Sequence, residues 1–219
     1  MTFGTDRTGN HRILLPVVLA VCLFVPLFAI RRIGNFDFWW WMSLNAALVI
    51  TFGFVFDRSY IKVIRDDLRS DLLKKIFLGI LSAALLYGVF YAGNSISRIL
   101  FPFAGAGIHQ VYSFKGGAST VRIALLMIFL IGPGEELFWR GLLQRQWMER
   151  FGNVPGYLAA GLIYALIHIS SGNIMLVLAA GVCGLFWGWL YLRYRSVLLL
   201  VISHTLWDLL IFLFFTFEG

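Results

Sequence analysis

Seven apolar runs, parted by short polar stretches, set the outline of this chain: residues 13–30, 36–56, 76–93, 121–138, 154–169, 173–192 and 196–215. Each comes near the roughly 20 residues that an α-helix, rising ~1.5 Å per residue, needs to cross a hydrocarbon layer of ~30 Å. The pattern predicts an all-α fold, a polytopic transmembrane bundle of about seven helices. An eighth element is open at 98–120, "RILFPFAGAGIHQVYSFKGGAST", which is rich in glycine and aromatics but poorly periodic. It reads as an outer loop, a re-entrant piece or a short extra helix. The first run is followed by Arg31 and Arg32 instead of a small-residue cleavage site, so it is expected to be a retained helix and not a signal peptide.

Composition narrows the class. With 60% hydrophobic and 13% charged residues, and a mean hydropathy of +0.83, the chain has too little polar surface to coat a soluble globule. It reads as an integral, multi-pass membrane protein. No long linker, low-complexity tract or clear internal repeat divides it. Residues 1–219 are therefore read as a single membrane domain, with N-terminal helices in 13–98 that carry no motif and catalytic core helices in 121–215. Cys22 and Cys183 both fall inside apolar runs, as small packing residues, and argue for no disulfide framework.

Charge gives the chain a direction. Counted by alternate loops, 13 Lys and Arg fall on the side of the N-terminus (two before the first run, six after the second, three after the fourth, two after the sixth) and five on the other. The positive-inside rule then places the N-terminus in the cytoplasm, in a membrane read as the bacterial inner one. The net charge of +7 calls for no nucleic-acid partner, because the largest basic cluster, 58–75, also holds Asp66, Asp67 and Asp71. It is expected to be a solvated loop against anionic lipid headgroups. The run Trp39, Trp40, Trp41 is read as an interfacial belt.

Placing a charge at the bilayer centre costs roughly 2.5–3.5 kcal/mol on insertion scales, so membrane helices that carry several have a reason for them. Here the fourth run has Glu135, Glu136 and Arg140 near its end, the fifth has His168, and the seventh has His204 and Asp208. Asp37 and Arg122 sit at helix starts, within reach of the interface, while His11 and His109 lack acidic neighbours and are expected to have no special role. Residues four apart share a helix face, so Glu136 can pair with Arg140, Tyr164 with His168, and His204 with Asp208. Glu135 lies about 100° round from Glu136. If Arg140 occupies Glu136, Glu135 is left free for chemistry. Gly132-Pro133-Gly134 is expected to kink the helix, since Pro133 has no N–H to donate and glycine on each side relaxes the backbone. A helix broken at membrane depth is tolerated where it lines a wet or enclosed cavity. The stripe Ala180, Gly184, Gly188 reads as small-residue helix packing.

Glu135-Glu136-x-x-x-Arg140 in "EELFWRG", Tyr164-x-x-x-His168, and His204-x-x-x-Asp208 in "HTLWD", on separate helices and in this order, resemble the CAAX protease and bacteriocin-processing family. It includes the type II CAAX prenyl endopeptidases. The resemblance covers about 121–215, less than half the chain. Two departures stand out: Tyr164 where the family usually has Phe, and Asp208 where the eukaryotic prenyl proteases have Asn. An amide donates a hydrogen bond at any pH and a carboxylate only when protonated, so Asp208 is expected to orient or charge-pair His204.

What the resemblance implies is a glutamic intramembrane endopeptidase without a covalent acyl-enzyme. Glu135, partly desolvated, would be the base, His168 would hold the same water, and His204 with Asp208 would lie on the oxyanion side. Glu136, Arg140 and Tyr164 would support them, and no metal or other cofactor is implied. The partners would be membrane lipids and a peptide or protein substrate, lipidated or membrane-anchored in some relatives. Two readings compete. One is zinc-dependent hydrolysis, with the histidines and one carboxylate as ligands, although the chain has no His-Glu-x-x-His. The other is a non-catalytic membrane protein, whether an immunity protein, a scaffold or a proton-coupled transporter.

Depth counting exposes a conflict. At ~1.5 Å per residue, Glu135 and His204 come out ~10 and ~12 Å from the cytoplasmic side but His168 ~21 Å, too far apart to share a water. The conflict calls for a strong tilt of the fifth helix or a late start after an interfacial segment at 142–153. The polar end "HISSGN" suggests a helix that stops short in a wet cavity, expected to open to the cytoplasm.

Overall fold

A computed structural model describes residues 7–217, with side chains from Ile13 onward, so the side chain of His11 lies outside the described residues. Among the described residues, nine helices follow in order: α1 (Arg7–Ile30), α2 (Phe38–Phe56), α3 (Ser59–Arg69), α4 (Leu72–Leu100), α5 (Ala104–Tyr112), α6 (Thr120–Phe151), α7 (Asn153–Ile167), α8 (Ile174–Tyr194) and α9 (Val197–Leu209). A last turn, Leu210–Phe214, extends α9. The only β pairing among the described residues is an isolated bridge between Ile33 and Phe36. Among the described residues, six helices are long and apolar enough to cross a membrane, or seven if Ala104–Lys115 and Thr120–Phe151, which meet at 90°, are counted as one bent span. The chain is an all-helical, multi-pass membrane protein.

The bundle has two ends. The end bearing α3 collects the N-terminus of α1, the α6–α7 turn and the α8–α9 turn, as the contacts of Trp147 with the Ile13 carbonyl and of Asp67 with the Leu198 N–H record. The other end bears α5. There Asp37 caps α2 by accepting from the N–H groups of Trp39 and Trp40, and it also pairs with Arg122 at the start of α6. Packing follows the small residues. Gly184 and Gly188 lie against Gly161 and Tyr157 of α7, so the predicted small-residue stripe is a close helix contact.

Three expectations change. The basic cluster is not a loop: α3 is an amphipathic helix whose one buried side chain, Tyr60, donates to the Leu137 carbonyl of α6. Of the three tryptophans, Trp40 is exposed, but Trp39 is core and meets Phe38 and Phe212 edge-on. Alternating sides on a helix surface divide such a run, and one belt cannot hold it.

The third change concerns Gly132-Pro133-Gly134. The helix neither breaks nor stops there but stays helical from Thr120 to Phe151, widened into π-turns at Met127–Ile131 and Leu137–Gln144. A π-turn bonds residues five apart, as the Gly132 N–H does with the Met127 carbonyl. This register change absorbs the donor that Pro133 lacks. The glycines serve approach more than flexibility, since a Cβ on Gly132 would strike Thr205 of α9 and one on Gly134 would strike Ala46 of α2.

Candidate active site

Three helices, α6, α7 and α9, bring the predicted residues together, with His204 at the centre of their ion pairs. From α9, its Nδ1 is 2.8 Å from Glu136 Oε1. Because a carboxylate accepts, the ring nitrogen carries the proton and donates. The same Oε1 accepts from Arg140 Nη1, also at 2.8 Å. Arg140 is thus the partner that the four-residue spacing predicts, and His204 is a second one that no local spacing shows. The other face of Arg140 lies over the Tyr164 ring, 4.6 Å from its centroid, and Nη2 reaches the Cys183 carbonyl at 3.4 Å. Glu136 is fully buried, and its Oε2 has no hydrogen-bond partner among the described residues.

The opposite edge of the ring faces a different surrounding. His204 Nε2 stands 3.6 Å from both Glu135 Oε2 and Asp208 Oδ2. Those separations exceed a direct hydrogen bond. Asp208 therefore approaches His204 as the i,i+4 spacing predicts, but it shares Nε2 with Glu135 and does not hold the ring alone. His168 is oriented by its own backbone. Its Nδ1 donates to the Tyr164 carbonyl at 2.8 Å, so that in the neutral ring Nε2 is the acceptor. Phe28 of α1 packs on the His168 ring with centroids 4.3 Å apart.

Glu135, His168, Cys183, His204 and Asp208 all line one largely apolar cavity of about 350 Å³. The depth conflict disappears because α6 is longer than the apolar run that announces it. Glu135 lies 16 residues before Phe151 and His168 15 residues after Asn153, about 24 and 22 Å from their shared turn at ~1.5 Å per residue. Both arms of the α6–α7 hairpin thus reach one level, with no interfacial segment at 142–153. The polar end of α7 is a cap as well as a stop. Asn173 accepts the first N–H groups of α8 and donates to the Gly107 carbonyl of α5, and Ser171 Oγ accepts from the Asn173 N–H.

The cavity extends along the bundle from the site. It runs from the carboxylates past Val182 and Met175 on α8, and Val89 and Ser97 on α4, to Ile108 on α5. That is the end away from the basic loops. Toward the basic end, Arg140, Leu143, Gln144 and Trp187 are all buried.

Sequence reasoning missed Trp187. Its ring stacks on His204 with centroids 3.8 Å apart and planes at 24°, and Arg140 lies 5.5 Å over the same ring. Its Nε1 donates to Ser203 Oγ, which also accepts from Ser82 of α4. One tryptophan in an apolar run gives no signal, and the neighbouring Gly184 and Gly188 mark the contact with α7 instead. Among the described residues, no group of three or more His, Cys, Asp or Glu is arranged to hold a metal ion.

No curated protein and no solved structure matches the chain. Residues 117–210, which hold all three motifs and the side chains gathered round His204, match the family model described as Rce1-like, type II CAAX prenyl endopeptidase, and so bear out the resemblance drawn from the motifs.

Proposed function

We propose that this protein is an intramembrane endopeptidase of the glutamic type, cleaving a peptide bond of a membrane-associated polypeptide. The observation that carries the reading is the different fate of two adjacent carboxylates. Glu136 is held by Arg140 and His204, while Glu135 faces the cavity with His168 and Asp208.

Peptide hydrolysis needs an activated water, a donor for the oxyanion and a proton for the leaving amine. In this reading Glu135 takes a proton from a water whose other hydrogen is accepted by His168 Nε2. The water oxygen bonds to the carbonyl carbon as the carbonyl π-pair moves to oxygen. Glu135 then returns the proton to the amide nitrogen, the C–N bond breaks, and a carboxyl and an amine leave. The oxyanion forms beside His204 Nε2, which acts as donor when it carries a proton. Trp187 fixes the ring plane.

Cleavage of a membrane-reconstituted peptide pool by wild type, wild type with chelator, and Glu135→Gln tests this. Loss in the variant alone, by about 10²–10⁴-fold as expected for removing a general base, is the predicted result. Unchanged cleavage by Glu135→Gln would overturn it. Loss on chelation that zinc restores would replace it with the metal-dependent reading.

A further inference from the structure

The first helix lies outside the family-matched residues 117–210, yet its last turns reach the candidate site. Phe24, Leu27 and Phe28 of α1 are buried, and α1 packs on the turn His168–Ser171 that ends α7. The His168 ring has two aromatic neighbours, Phe28 at 4.3 Å and Tyr164 at 5.1 Å between centroids. Tyr164 belongs to α7 itself, so Phe28 is the ring that ties His168 to a distant part of the chain.

Arg31 completes the link. Its Nε donates to the Phe28 carbonyl at 3.3 Å and its Nη2 to the Ser171 carbonyl, while the guanidinium lies over Phe114, 5.0 Å from the ring centroid. Both carbonyls belong to helix ends, where the last C=O groups lack partners within the helix and a cation is favoured by the helix dipole. The backbone works against an arginine here. Its φ is +65°, the left-handed conformation that commonly ends a helix and that glycine adopts without a Cβ clash. The Arg31 N–H closes α1 by donating to the Leu27 carbonyl, a bond that glycine makes equally well. Strain of this kind persists where the surroundings hold it, and it gathers at functional sites. What arginine adds over glycine is the side-chain bridge to Ser171, three residues after His168.

We propose that Phe28 and Arg31 are positioning residues for the reaction, a role that rests on the endopeptidase reading. Arg31 pins the turn 168–171 to the end of α1, Phe28 fixes the plane of the His168 ring, and together they hold Nε2 at the water beside Glu135. A misplacement of about 1 Å in such a group can slow a reaction by about 10²-fold. The helix that carries no motif thus sets the geometry of one that does.

Arg31→Gly in the full chain separates positioning from stability, because it removes the bridge while easing the backbone. It is expected to keep or raise the thermal transition and to lower kcat by about 10²-fold with KM little changed. Arg31→Lys, which can still donate to a carbonyl, recovers part of the loss. Phe28→Leu is expected to lower kcat by about 10-fold, whereas Phe24→Leu, the same change one turn earlier against Trp139, leaves it near wild type. Histidine-labelled protein gives a readout that needs no cleavage. The His168 ring resonances, identified by their absence from His168→Gln, are expected to shift in Arg31→Gly although no aromatic ring has been removed. A wild-type kcat or an unmoved His168 resonance in Arg31→Gly would overturn the proposal. So would a lowered thermal transition, because Arg31 would then be a brace for the fold. Absence of cleavage by the wild-type protein would strike the endopeptidase reading instead, and the resonance would still decide whether Arg31 sets the ring.

Discussion

The two edges of the His204 ring differ in nearly every physical respect. On the Nδ1 side, Glu136, Arg140, Tyr164 and Trp187 form a closed stack in which the main charges are paired at 2.8 Å. On the Nε2 side, Glu135 and Asp208 stand off at 3.6 Å and face a cavity. A histidine with one edge fixed and the other unfilled can present a proton at a set place. The difference teaches that consecutive glutamates on one helix divide into a brace and a reagent, because a step of about 100° points one into the packing and the other into the space.

The sharpest way to break this comparison is to alter a reagent-side group. His168→Ala is expected to lose cleavage by about 10²–10⁴-fold while keeping its thermal transition, measured in parallel in the same detergent. On the brace side the expected loss is of stability. Arg140→Ala leaves a buried carboxylate without its cation, and breaking such a pair costs about 3–5 kcal/mol, read as a lower denaturation midpoint. Gly134→Leu pushes α6 away from Ala46 of α2. Overpacking of that kind costs about 1–3 kcal/mol and is read as the same shift with partial activity.

The smallest expected effect lies outside the membrane. Burial would raise the Asp57 carboxyl pKa, but hydrogen bonds from Ser59 and Arg145 and the Arg145 charge outweigh it and hold it below its usual value. A carboxyl held low stabilises the fold above its unfolded pKa, about 4, and loses that contribution as pH falls through the lowered value. Asp57→Asn is therefore expected to cost about 0.2–1 kcal/mol at neutral pH and to differ less from wild type in an acid titration of stability.

Much of this architecture was legible in the pattern of the chain. All seven apolar runs correspond to helices, and the four-residue spacing of Glu136 and Arg140 named a real ion pair. What stayed hidden was held by groups distant in sequence. The α6 extension past residue 138 looked like loop because it carries Arg140, Gln144 and Arg145. Their partners are Glu136, the Gly188 carbonyl and Asp57, and two of those three lie outside α6, on α8 and at the C-cap of α2. The pairing of His204 with Glu136 spans 68 residues, so no local period reveals it. The extent of the cavity was hidden for a related reason. Depth can be counted along one helix, but what lines a cavity is decided by side chains from several.

The division between brace and reagent is tested most directly by measuring the thermal transition and the peptide-cleavage rate of Glu135→Gln and Glu136→Gln side by side. The account predicts that Glu135→Gln unfolds like wild type and does not cleave, while Glu136→Gln unfolds at a clearly lower temperature. A Glu135→Gln protein that cleaves at the wild-type rate, or a Glu136→Gln protein as stable as wild type, would contradict it.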